Sequence, residues 1–300
     1  MGSEMCIRDR SDTLRGVLHT NAFRQLESAW RAIDFLNRRV DTDRVCHLHV
    51  MDASVQEIRG DIESAGNDIS ASGLYKQLVD AMAVPGEQSF DTVVLDYQLQ
   101  ATEADMALLS GLGKIAVEAN MALLLNGSEQ LAGCESLAKD DDPNTWEDPR
   151  SEAFNELLAA TRSGVFSRVY VAAPRFLQRL PYGKRSSPID AFDFEELSSL
   201  GAHHDHLWGG GATLLAYLMI QNFTQTGVRA ELGEDRYVDN LPVHIATDED
   251  GDSAPLPCAE VVLTDKAVDA LADQGLCVLR SVKHQNRVQL SRVVAFSGAP

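Results

Sequence analysis

Apolar residues recur at steps of three and four between Asp12 and Arg39: Leu14, Val17, Leu18, Phe23, Leu26, Trp30, Ile33 and Leu36. That period predicts a long amphipathic helix, restarted at Asn21 after His19-Thr20, with Trp30 on the stripe turned to the core. The period then shortens. Val45, His47 and His49 alternate with Cys46, Leu48 and Val50, which predicts a strand over Arg44 to Met51. Ser54 to Ser64 and Ser72 to Met82 return to helical spacing, the second through Leu74, Leu78, Val79 and Met82. Phe90 to Asp96 and Met121 to Leu125 are near-continuous apolar runs, as in strands buried on both faces. Between them, Thr102 to Ala119 predicts a helix, with Thr102, Glu103 and Asp105 suited to its N-terminus.

The second half continues the alternation. Arg150 to Thr161 predicts a helix, Val169 to Val171 a strand, and Trp208 to Thr226 the most apolar helix of the chain. Short strands are expected between Gly227 and Ile245, then a turn or linker at Asp248-Glu-Asp-Gly-Asp252. From Pro257 onward the pattern predicts strands at Val261 to Leu263, Leu276 to Val282 and Val293 to Phe296, with a helix over Asp265 to Gln274. The order predicts an α/β fold: a mostly parallel sheet flanked by helices, with a second, smaller α/β unit at the C-terminus. Met1 to Arg10 match nothing that follows, so residues 1–11 are expected to be a leader or artefact.

Val169 to Gly183 is the most constrained stretch. Pro174 removes a backbone donor and ends the strand. Arg175 and Arg179 stand four apart among Phe176, Leu177 and Leu180, which predicts a short helix with both guanidinium groups on one face. Pro181-Tyr182-Gly183 would stop it. Two arginines in such apolar surroundings suit buried carboxylates or main-chain carbonyls, and Asp190-Ala-Phe-Asp-Phe-Glu-Glu196 supplies candidate partners.

Three segments carry a family resemblance: Pro174-Arg-Phe-Leu-Gln-Arg-Leu-Pro-Tyr-Gly183, Ser187-Pro-Ile-Asp-Ala-Phe-Asp-Phe-Glu-Glu196 and His206-Leu-Trp-Gly209. In order and spacing they resemble the core signature of the large subunit of the type VI secretion contractile sheath. Phe23-Arg-Gln-Leu-Glu-Ser-Ala-Trp30, Asp96-Tyr97 and Leu241-Pro-Val-His244 match the same family, and the resemblance runs from about Leu14 to Leu279. Its signature positions here are Trp30, Asp96, Tyr97, Pro174, Arg175, Phe176, Arg179, Pro181, Tyr182, Gly183, Phe192, Phe194, Glu195, Trp208 and Gly209.

The resemblance implies a cytoplasmic structural protein with no catalytic, cofactor or metal residues. It implies pairing with a small sheath subunit, self-assembly into a helical polymer around an inner tube protein, and recycling by an ATPase. Strands shared between neighbours would hold the polymer. Residues 12–250 would be the N-terminal and middle domain of the large subunit, and 251–300 the start of a truncated C-terminal domain. The chain starts after the family's strand-bearing N-terminal segment, and Ser281 to Pro300 departs from the commonest family ending. The expectation is therefore a fragment or a divergent paralogue.

Charge and chemistry fit that frame. The net charge is −19, from 45 acidic against 26 basic residues. That disfavours nucleic acid, whose phosphates need a basic face, and anionic membranes too. The most apolar helical run, Ala212 to Phe223, is about a dozen residues where a bilayer needs roughly 20. Cys6, Cys46, Cys134, Cys258 and Cys277 form no Cys-x-x-Cys pair, so free thiols in a reducing cytosol are expected.

The alternative function is a metal-dependent hydrolase using His203-His-Asp-His206, with His244 as the distant ligand. A working centre needs more ligands from separate strand ends, so a loop before Leu207-Trp-Gly is the better reading. His47 and His49 lack a third ligand. Asp140-Asp-Asp142 is an acidic loop of mutually repelling carboxylates. Asp248 to Asp252 has Ala259 where a calcium loop needs glutamate. Gly209-Gly-Gly211 is not a phosphate loop, and no Gly-x-Ser-x-Gly elbow is present.

Overall fold

A computed structural model describes residues 2–80, 89–137, 139, 142–161, 164–197, 203–234, 236–247 and 253–296. Helices α1 (Gly2–Leu18) and α2 (Asn21–Arg39) meet at His19-Thr20, where the pattern placed the restart. Helix α3 (Val55–Ala65) begins with a capping box: Ser54 Oγ accepts from Glu57 N at 3.2 Å, and Glu57 Oε2 accepts from Ser54 N at 2.8 Å. The expected helix over 72–82 starts as the single turn α4 (Gly73–Tyr75) and runs on as a π-helical turn, Lys76–Asp80; residues 81 and 82 lie outside the described residues.

Strand β1 (Thr92–Leu99) leads to α5 (Glu103–Glu118), capped by Thr102, and β2 (Ala122–Gly127) follows. Helix α6 (Glu152–Ala160) is capped by Ser151 and precedes β3 (Val169–Ala173). The short strands β4 (Phe176–Leu177) and β5 (Trp208–Gly209) then pair antiparallel, ahead of α7 (Ala212–Thr226). Next come β6 (Tyr237–Val238), the hairpin β7 (Ile245–Thr247) and β8 (Ser253–Pro255), α8 (Asp265–Asp273), β9 (Leu276–Ser281) and β10 (Val288–Arg292).

The main sheet has six strands in the order β1-β2-β3-β9-β10-β6. The first four are mutually parallel, and β10 and β6 add antiparallel pairings. Pairing of β3 with β9 joins α8, β9 and β10 to the same sheet. Both faces are covered, as the unbroken apolar strands required. Leu123, Leu125, Val169 and Val171 point into one core, with α5, Phe154 of α6, and Val268 and Leu271 of α8. Ala122, Leu124 and Ala172 point into the other, against Leu214, Leu215 and Leu218 of α7.

Several expectations are corrected. Residues 46–50 form no strand among the described residues, and Leu48, Val50 and Met51 are exposed, so no neighbouring ladder holds them extended. Val261 to Leu263 is irregular, with Val262 exposed, Leu263 buried in the core and Val261 packed against it. The last strand is Val288–Arg292 rather than 293–296, because Val288 and Leu290 are the residues facing the second core. Helix α7 begins at Ala212, four residues later than expected, since Trp208-Gly209 is claimed by the pairing with β4.

The start of α7 shows why that boundary is sharp. Asn126, at the end of β2, accepts from Ala212 N through Oδ1 at 2.8 Å, and so caps a helix remote in sequence. Its Nδ2 donates to Asp96 at 3.1 Å. A Cβ on Gly210 would overlap this amide, so only glycine allows the approach. Gly210→Ala should therefore cost about 1–3 kcal/mol in urea unfolding. A variant as stable as the parent would show that Asn126 does not need that space.

Candidate functional site

The expected helix over 175–180 does not form. Phe176–Leu177 is a strand, and the two arginines reach different partners. The reason is pairing: Phe176 lies opposite Gly209 and bridges to Ala259, so the backbone donors go to other segments rather than to a local helix. Arg175 Nε donates to Glu260 Oε2 at 2.8 Å and its Nη2 to Oε1 of the same carboxylate. Only Arg179 finds its partner in the 190–196 segment.

Arg179 is the centre of the arrangement. Its Nη1 and Nη2 donate to the two oxygens of Glu196 at 2.6 and 2.8 Å. Its Nε and Nη2 donate to Glu27 of α2 at 2.7 and 3.2 Å, and Nη1 also reaches Leu180 O at 3.1 Å. The guanidinium lies 4.5 Å from the Tyr182 ring centroid. Arg179 and Glu196 are buried, and the arrangement satisfies both charges. Burial alone would weaken Arg179's hold on its proton, but the hydrogen bonds and charges of Glu196 and Glu27 outweigh it and raise its pKa. Burial likewise pushes Glu27 up, yet Arg179 and Arg31 together bring it below its ordinary value.

The rest of the Pro174–Gly183 loop is fixed to the same carboxylates. Tyr182 N donates to Glu196 Oε2 at 2.7 Å, and Glu196 N donates to Tyr182 O at 2.8 Å. Pro181 and Gly183 are buried. Gly183 N donates to Ser187 O at 3.0 Å, and the Glu195 carboxylate fills the space a Cβ there would need. Glu195 Oε1 accepts from Lys184 N at 3.0 Å, while its carbonyl accepts from Arg15 Nε of α1 at 2.8 Å. Phe192 and Phe194 contact each other at 5.9 Å, with Arg15 over the Phe194 ring. Pro174 follows β3 through a cis peptide bond, and Phe176 packs on Phe35 of α2 at 6.1 Å.

Helix α2 is tied down on its polar side. Besides Glu27, Arg24 donates to His206 O, Ser28 O accepts from Gln178 Nε2 at 3.1 Å, and Arg39 donates to Asp239 O and Asn240 O at 2.7 and 2.8 Å. Trp30 is therefore not in the core. It is 62% exposed, with Leu26 at 57% and Phe23 at 37%. Of the apolar stripe, Leu18 is buried and Leu36 packs on the second core, while Phe23, Leu26 and Trp30 face outward, because Arg24, Glu27 and Arg39 on the other face have partners in the body.

Asp96 and Tyr97 part company. Asp96 is exposed beside Asn126. Tyr97 joins a separate cluster, in which its hydroxyl accepts from Arg59 Nη2 at 2.9 Å and donates to buried Asp105 at 3.2 Å. Asp105 also accepts from Gln100 N at 2.7 Å. Trp208 is buried, its Nε1 donating to His203 O at 2.8 Å. Gly209 lies opposite Phe176.

The histidines do not converge on one point. His203 stacks on Trp208 at 5.0 Å and meets Glu260 O through Nε2 at 2.7 Å. His204 is exposed beside Asp205. His206 Nε2 and His244 Nδ1 share a hydrogen bond of 2.9 Å, one ring donating and the other accepting. Among the described residues, no three His, Cys, Asp or Glu side chains are disposed to hold a metal ion. Asp140 and Asp141 lie outside the described residues, as do residues 248–252; Asp142 holds a turn by accepting from Asn144 N at 3.2 Å. Cys46, Cys134, Cys258 and Cys277 are free thiols, and burial pushes Cys258 and Cys277 up to about 11.

With the Arg179 centre in view, the comparison with known sequences is decisive. Residues 8–294 match the family model described as EvpB/VC_A0108, tail sheath N-terminal domain. The chain belongs to that family, the large subunits of type VI secretion sheaths. Type VI secretion system sheath protein TssC1 of Pseudomonas aeruginosa is 26% identical over 295 residues, 94% of this chain and 57% of that protein. The chain thus spans somewhat over half the length of this sheath relative. The family expectation drawn from the Pro174–Gly183 signature is met.

Sequence reasoning found Arg175, Arg179 and the acidic partner segment. It missed Glu27, Glu260, Arg24, Arg15, Asn126 and Asp105. Asn126 had a readable signal, a polar residue closing an otherwise apolar strand. Glu27 had only its place opposite an apolar stripe.

Two outcomes are expected. Arg179→Ala strands two carboxylates and should cost about 3–5 kcal/mol in denaturant unfolding. Arg175→Ala should cost clearly less, because its side chain is 37% exposed. Equal losses would remove the distinction.

The second outcome concerns acid. Burial lowers the His244 pKa, so below about 6.5 the unfolded chain binds more protons there and stability falls with pH. Depressed Glu27 adds a further loss as pH falls below about 4.3. Thermal melts from pH 8 to 3 should show both declines, and His244→Asn should remove the first. An unchanged profile in that variant would refute the assignment.

Proposed function

We propose that this chain is a structural subunit of the cytoplasmic contractile sheath of a type VI secretion system. It pairs with the small sheath subunit and polymerises around an inner tube, and contraction of the polymer drives effector injection. An ATPase recycles the spent sheath. The single observation that carries this reading is the match of residues 8–294 to the tail sheath family, reinforced by the sheath name of the relative. On this reading the protein has no active site, and its work is mechanical: a subunit interface with two arrangements stores energy in the extended lattice. The buried Arg179 centre suits that role, since a subunit that transmits force needs segments that do not slide past one another.

The hydrolase alternative finds no support in the geometry of its histidines. His203 and His206 are occupied by Glu260 O and His244, and His204 points to solvent.

The test is co-expression with the small sheath subunit, affinity capture and negative-stain microscopy. Co-purification with rings or tubules is the expected result. Absence of association, in a chain extended to the length of the sheath relative, would overturn the reading.

A further inference from the structure

Strand β1 stands at one end of the six-stranded sheet and pairs with β2 alone. Among the described residues, no backbone hydrogen bond reaches its other side. Eight residues of open edge are a template for unwanted pairing, and proteins ordinarily cover or blunt such an edge. Val94 on β1 is exposed, although Leu124, its partner on β2, is fully buried.

The chain carries a segment built like the missing neighbour. β1 is followed by Gln100-Ala101-Thr102 and then by α5, whose first turn Thr102 caps by accepting from Asp105 N. Residues 46–51 are followed by Asp52-Ala53-Ser54 and then by α3, whose first turn Ser54 caps by accepting from Glu57 N. The plan is the same in both: extended chain, three residues ending in a hydroxyl cap, then a helix. The two helices also lie side by side in step with that alignment, since Arg59 pairs with Asp105 and Ile62 closes on Gly111. Aligned on the caps, Met51 corresponds to buried Leu99 and Cys46 to Val94, with Leu48 and Val50 on the face of Cys46 by alternation.

This segment is unpaired in the structure. The N–H groups of residues 47–53 meet no acceptor among the described residues, and Leu48, Val50 and Met51 are exposed. It stands next to the chain that enters β1, where the His49 ring meets the Phe90 ring edge-on at 5.5 Å. A strand here, leading through α3 into β1, would make a parallel βαβ unit. Ile58 and Ile62 of α3 share the first core with α5, so the crossover would have the same hand as β1-α5-β2.

We propose that residues 46–51 are a strap that closes on the free edge of β1 as a seventh, parallel strand and shields that edge from other chains. The proposal is independent of the sheath reading.

Hydrogen–deuterium exchange on the intact chain tests it. An unpaired segment exchanges at the rate of a free peptide, whereas a strap closed about nine-tenths of the time slows exchange about tenfold. Residues 47–51 should show at least that protection at every protein concentration. Leu48→Pro/His49→Pro removes two consecutive N–H groups, so one lost donor faces β1 in either register. Exchange in residues 92–99 should then quicken several-fold, with β2 and α5 as protected as in the parent. Exchange of residues 47–51 at the free-peptide rate in the parent would overturn the proposal. So would unchanged exchange of residues 92–99 in the variant. Protection that grows with protein concentration would overturn it too, because another copy would then supply the neighbouring strand. If the variant loses protection in β2 and α5 as well, the exchange of residues 47–51 in the parent decides alone.

Discussion

One guanidinium group, Arg179, carries two carboxylates from distant parts of the chain. Glu27 comes from a helix near the N-terminus, and Glu196 from the segment after the Pro174–Gly183 loop. Taking three charges out of water costs several kcal/mol per ion, and the mutual attraction recovers this only where each lone pair and proton is used. Here they are: Tyr182 N and Arg31 Nε donate to Glu196 Oε2 and Glu27 Oε1, using lone pairs that remain on oxygens Arg179 also contacts. The arrangement contributes geometry more than net stability. An apolar core would accept α2 in several orientations, whereas this centre accepts one.

That single orientation has consequences in both directions. Inward, it draws Phe35 onto Phe176 and Tyr217, which seals the second core above α7. Outward, it leaves Phe23, Leu26 and Trp30 in solvent. These apolar side chains, which a folding chain would ordinarily bury, stay outside because the paired charges on the other face fix the rotation of the helix. The Arg59–Tyr97–Asp105 cluster acts in the same manner on the opposite side of the sheet, fixing α3 to the start of α5.

Much of the fold is legible in the sequence, because its central strands are buried on both faces. Unbroken apolar runs such as Ala122–Leu125 admit little else, and Ser54, Thr102, Ser151 and Thr264 each mark a helix start by accepting from the backbone three residues on. The errors share a cause. At 44–51, 175–180 and 208–211 local spacing was satisfied, but tertiary pairing or its absence decided the outcome. Trp30 is the instructive case: periodicity identifies a face, and only knowledge that Glu27 meets Arg179 tells which face is inside. The site was half visible, since arginines among apolar residues announce a buried acid, while the acid's identity depends on which distant segments meet.

The central claim is that Arg179 sets the orientation of α2 while the sheet stands without it. Hydrogen–deuterium exchange on Arg179→Met tests this most directly. The account predicts faster exchange across residues 21–39 and 182–196, with β2 and β3 as protected as in the parent. Uniform acceleration through the sheet, or none in α2, would contradict it.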